Sequence, residues 1–121
     1  MANTFKVVNF AAEPNSAGTP YTMYTVAGST TTVVLGLILT NINTTAVTAE
    51  VELVSTTSNR AGNNNAANGT SFLVKDVSIP AGSSLEVLTG GKVVLEASDV
   101  LRIDCSVADK LSGTLSIMEI I

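Results

Sequence analysis

No stretch of this sequence repeats apolar residues at the spacing of an amphipathic helix; short β-branched runs recur instead, each closed by turn residues. From Ala46 to Val54 the alternation is clean. Val47, Ala49, Val51 and Leu53 fall on one face and Thr48, Glu50 and Glu52 on the other, which is a half-buried antiparallel strand with Asn43-Thr44-Thr45 as its turn. The run Thr30 to Asn43 is apolar on both alternating faces, so it predicts a central strand covered on both sides, with Gly36 marking a bulge or a close approach. Further strands are expected at Phe72–Ile79, ending at the turn Pro80-Ala81-Gly82, and at Ser84–Leu88, closed by Thr89-Gly90-Gly91. Lys92–Glu96 follows. Val100–Val107 then places Leu101, Ile103, Cys105 and Val107 inward and Arg102, Asp104 and Ser106 outward. Many short strands at nearly regular spacing predict an all-β fold, an antiparallel β-sandwich of jelly-roll-like type.

The two ends and one internal stretch stand apart. Residues 1–25 hold Pro14, Pro20 and Gly18 between short apolar stretches, which predicts an extended N-terminal arm with one or two short strands; the sandwich domain takes 26–121. Within it, 55–71 is rich in Asn, Ser and Thr and has no large apolar residue, so it reads as a long mobile loop, or a hairpin tip, projecting from the body. The last strand, Thr114–Ile121, carries large apolar groups on both faces: Leu115, Ile117 and Ile121 with Glu119 on one, Met118 and Ile120 on the other. Either that strand is central and covered on both sides, or its terminus frays, or Met118 and Ile120 dock against another subunit. With the apolar positions of the arm, the candidate interface is Phe5, Val7, Phe10, Met118 and Ile120.

Composition narrows the chemistry. The chain of 121 residues is enough for one domain, with 45% apolar and 13% charged residues, the latter about half the usual share. Ten acidic against six basic side chains give a net charge of −4, which argues against a nucleic-acid phosphate partner. Five aromatic side chains, all but Phe72 in the arm, offer no base-stacking platform. There is no His, so a Ser-His-Asp or Cys-His pair is excluded, and Lys6, Lys75, Lys92 and Lys110 are scattered. Cys105, the single cysteine, falls on an inward face, where a thiol behaves as a small hydrophobe. No zinc or calcium ligand spacing occurs. Gly90-Gly91-Lys92 lacks the spacing of a phosphate loop, and Glu50 and Glu52 share an open sheet face rather than a cleft. Asn43-Thr44-Thr45 and Asn68-Gly69-Thr70 match a glycosylation pattern, but no basic-then-apolar leader opens the sequence. The longest apolar run, Val33–Leu39, is about a third of a membrane span. The expectation is a non-enzymatic protein without cofactor or metal, made in a cytoplasm.

One resemblance goes further. The segment Phe72-Leu73-Val74-Lys75-Asp76-Val77-Ser78-Ile79-Pro80-Ala81-Gly82 ends a strand in a hydrophobic-Pro-Ala-Gly corner. Lys92-Val93-Val94-Leu95-Glu96-Ala97-Ser98-Asp99 then feeds a strand, and the chain closes on Ser116-Ile117-Met118-Glu119-Ile120. With the run from Tyr24 to Leu37, these motifs resemble small virion structural proteins of tailed bacteriophages, particularly those of marine and cyanobacterial hosts. The resemblance implies a β-sandwich subunit of the capsid, neck or tail, located in the virion, and carries over no catalytic residue. The leading expectation is a head decoration (cement) protein that binds the major capsid protein or other virion subunits as a homo-oligomer, a trimer or dimer. The alternatives are a neck, collar, tail or fibre-base subunit and a carbohydrate-binding β-sandwich module.

Overall fold

The computed structural model describes residues 2–55 and 69–121. These form nine strands: β1 (Asn3–Glu13), β2 (Tyr21–Thr25), β3 (Thr31–Asn41), β4 (Val47–Val54), β5 (Thr70–Ile79), β6 (Ser84–Glu86), β7 (Val93–Leu95), β8 (Val100–Cys105) and β9 (Leu111–Ile120). All pairings are antiparallel and build two sheets. The first runs β1-β9-β3, with β6 and β7 sharing the far edge of β3; the second runs β2-β8-β4-β5. The expected β-sandwich is therefore present.

The inner faces supply the core. Val34, Leu37 and Leu39 of β3 and Leu111, Leu115 and Ile117 of β9 meet Val47, Ala49 and Val51 of β4 and Leu101 and Ile103 of β8. Period-two alternation sets most of these positions, since it puts every second side chain on the inner face. In β3 a bulge between Val34 and Gly36 shifts the alternation by one residue, so Thr32 and Val34 before it and Leu37, Leu39 and Asn41 after it all point inward. Asn41 is fully buried and satisfied. Its amide nitrogen donates to the Thr45 and Ile79 carbonyls, both at 2.9 Å, and its oxygen accepts from the Asn43 amide at 2.8 Å. It thus ties the β3–β4 turn to the end of β5, next to the expected turn at Pro80. There the Ser83 amide donates to the Pro80 carbonyl at 3.0 Å and Gly82 takes φ 70°, the left-handed position a type II turn requires.

Three expectations are revised. The N-terminal segment is no free arm of short strands: β1 is an 11-residue edge strand zipped onto β9, and β2 is an edge strand of the other sheet. Its prolines, Pro14 and Pro20, fall between the strands and interrupt neither ladder. The run at 30–43 is central within its sheet but covered on one side only, since Leu35 and Ile38 of β3 are exposed. Val107 lies past the end of β8 and is exposed, because the chain turns away after Cys105. Of the Asn-rich stretch, residues 56–68 lie outside the described residues; Thr70 and Ser71 belong to β5, opposite Val54 and Leu53.

Candidate functional site

The outer face of the first sheet collects apolar side chains that the core does not use. The register sets Phe5 of β1 opposite Met118 of β9, Met118 opposite Val33 of β3, and Val33 opposite Val94 of β7. Four apolar side chains thus stand in one row across four strands, a band about 14 Å wide at ordinary strand spacing. Phe5 is 71% and Val94 61% exposed, with Met118 and Val33 half-buried between them. Val7, Leu35 and Ile120 widen the band on either side, and Ile38 stands exposed further along β3, between Thr114 and Glu86. A shallow hollow of about 230 Å³ opens between Phe5, Val7 and Leu35, floored by Ser116 and Ile117. Exposed apolar residues scattered singly need no explanation, whereas these stand together in register.

Of the five residues singled out from the sequence, four lie on this face: Phe5, Val7, Met118 and Ile120. Phe10 does not. It sits opposite Gly113 on the inner side, where its ring packs edge-on against Tyr21 at 5.3 Å between centroids. A Cβ on Gly113 would collide with that ring, so the glycine is what lets the aromatic lie across β9. Parity along β1 carries the distinction, since Phe10 shares a face with Lys6 and Val8 rather than with Phe5 and Val7. Sequence reasoning misses Val33, Leu35, Ile38 and Val94 as surface positions. For Val33, Leu35 and Ile38 the signal is the second apolar face of the 30–43 run, which reads identically whether a neighbour covers it or not; Val94 joins them only through the pairing of β7 with β3.

At the end of the sandwich near this face, one polar cluster joins the two sheets. Glu119 of β9 pairs with the Lys6 ammonium at 2.6 Å and accepts from the Tyr24 hydroxyl of β2 at 2.6 Å, while that hydroxyl also lies 2.8 Å from Thr32 Oγ1. The Lys6 ammonium, and then the Tyr24 hydroxyl, hold the Glu119 carboxyl below its ordinary range. Burial, with Glu119 alongside, pushes Tyr24 up to about 12. The cluster is internally satisfied and offers no free acid, base or nucleophile.

The outer face of the second sheet is of another kind. Arg102 Nη2 donates to Glu52 at 2.7 Å, Lys75 lies 3.5 Å from Glu50, and Asp104 accepts from the Gly18 and Cys105 amides. Lys75 also covers the Phe72 ring at 4.6 Å, a cation–π contact. A hollow of about 190 Å³ beside Thr48, Glu50, Asp76 and Asp104 is open, and Glu50 and Asp104 already have partners. Burial pushes the Cys105 thiol up, away from the reactive thiolate. Among the described residues, no three His, Cys, Asp or Glu side chains come together as a metal site would need. No protein family, no curated protein and no solved structure matches the chain.

Proposed function

We propose that this protein is a non-enzymatic structural subunit that works by docking, and that its partner is the assembled shell of a tailed-phage virion, as a head decoration protein. The observation that carries the docking half is the uncovered apolar row Phe5–Met118–Val33–Val94 on a sheet whose inner face already fills the core. Binding is favoured by removing such a row from water, at about 25 cal/mol for each Å² of apolar surface, and a shell of identical subunits repeats the contact many times. The virion half rests on the resemblance of the Pro80-Ala81-Gly82 corner and the stretches that follow it.

Mass spectrometry and cryo-EM of purified particles test the reading. The chain should be present at a copy number close to that of the major capsid protein, with the outer face of the first sheet against the shell. Absence of the chain from particles removes the virion reading. About a dozen copies or fewer would move it to the neck or tail. A shell contact made by the charged face of the second sheet would overturn the docking assignment.

A further inference from the structure

Sheet edges show a difference that the faces do not. Native proteins blunt exposed edges with short strands, bulges and charges, because an unpaired row of N–H and C=O groups templates another strand. Three ends of the two sheets here are blunted in these ways. β6 and β7 have three residues each. β2 has five and is broken by a bulge between Thr22 and Tyr24. β5 is broken twice along β4 and carries Lys75 and Asp76, the latter at φ 50°. β1 is the exception over most of its length, since its one irregularity falls near its end, between Phe10 and Glu13. From Asn3 to Phe10 its register with β9 is unbroken and holds no proline.

The hydrogen-bond phase of β1 is fixed by its first pair. The Ile121 amide donates to the Ala2 carbonyl at 3.1 Å, in line with Asn3 opposite Ile120. Even-numbered residues of β1 therefore bond to β9, and the N–H and C=O groups of Asn3, Phe5, Val7 and Asn9 point to the open edge. These same residues set their side chains on the outer face. Any strand added along β1 would thus extend both the backbone ladder and the apolar face.

We propose that two copies of this chain pair antiparallel along β1, edge to edge about a two-fold axis, joining their first sheets into one continuous sheet. A second copy fits because the edge is self-complementary. Antiparallel pairing needs the same odd-numbered groups from both partners, and Phe5 and Val7 of each then lie beside those of the other. Charge permits it as well. Between Asn3 and Phe10 the one charged side chain is Lys6, already neutralised by Glu119 at 2.6 Å. Placing Phe5 or Val7 on the axis sets Lys6 opposite Thr4 or Val8 of the other copy, whereas placing Lys6 there would oppose two ammonium groups. With one such open edge per chain among the described residues, assembly closes at two copies. The pairing follows from the edge itself and does not depend on the virion reading; within that reading it doubles the docking face.

Analytical ultracentrifugation of the purified chain tests it. The wild type should sediment as a dimer that dissociates on dilution. Val7→Pro removes an edge N–H that β9 does not use and places a ring where the partner strand would lie, so it should weaken self-association at least about tenfold with little change in the melting temperature. Val7→Lys keeps the backbone donor and adds like charges to the edge, and should act in the same direction even if the proline variant folds poorly. Met118→Ser alters the face but not the edge, and should leave the dimer intact while weakening particle binding. A monomeric wild type, a trimer, or a dimer unmoved by both Val7 variants would overturn the pairing without touching the docking proposal.

Discussion

The two outer faces of this sandwich are built by the same alternation and end up chemically opposite. On the second sheet, outward positions hold Glu50, Glu52, Arg102 and Asp104, each with a partner, and the exposed Phe72 ring has a lysine laid over it. On the first sheet, the corresponding positions hold Phe5, Val33, Met118 and Val94, and no cation covers Phe5 among the described contacts. A face that only has to meet water can be finished like the second sheet. The first is finished with apolar side chains that the core does not use.

Substitutions can break or sharpen this contrast. The largest effect is expected on the inner side, where Phe10→Ala removes a half-buried ring that fills the space over Gly113 and should cost about 3 kcal/mol of stability in urea unfolding. Phe5→Ala, on the outer face, should cost under about 0.5 kcal/mol by the same measurement. Equal losses at the two positions would show that Phe5 is packed in the same way as Phe10. On the second sheet, Glu52→Ala leaves the half-buried Arg102 without its carboxylate, and Arg102 Nε already lacks a hydrogen-bond partner. A loss of roughly 2 kcal/mol is expected, with particle binding unchanged.

The polar cluster between the sheets should give a smaller, pH-dependent effect. The lowered Glu119 carboxyl contributes stability that is present above its ordinary value of 4.5 and lost as pH falls through its lowered value. Tyr24 is raised from 10.0 to about 12, so its contribution is complete below pH 10.0 and is lost as pH rises toward 12. Glu119→Gln should cost about 1 kcal/mol at neutral pH and flatten the acid limb of thermal melts. An acid limb of unchanged steepness would assign that sensitivity elsewhere. The smallest change is expected for Lys75→Ala, a few tenths of a kcal/mol, since its ion pairs are exposed.

Much of this architecture is legible in the sequence. The clean alternation at Val47–Leu53 predicts β4 and its inward face, and Gly36 sits at a real bulge. The inward set Leu101, Ile103 and Cys105 is buried as alternation requires. Local pattern fails where the deciding partner is distant in sequence. Prolines and glycines in the first residues suggest an arm, yet residues 3–13 find their ladder on β9, at the other end of the sequence. The two-faced runs at 30–43 and 114–121 record that both faces are apolar, but not whether anything covers the second one. Composition groups Phe10 with Phe5 and Val7, although counting parity along the strand separates them. Tyr24, Thr32 and Lys6 gather around Glu119, so that four strands contribute, and no spacing in the sequence announces that meeting.

The pairing of Asn3 with Ile120 has a mechanical consequence. Both ends of the described fold leave from one corner, so a pull applied through them loads the β1–β9 ladder from its tip. Its bonds then break in succession, as in a zipper, rather than sharing the load in shear. A tether fixed at those ends would peel β1 away at low force while the rest of the sandwich stayed shut. An anchor at the Pro80 turn together with one at Asn3 would pull along a different line and should resist for longer.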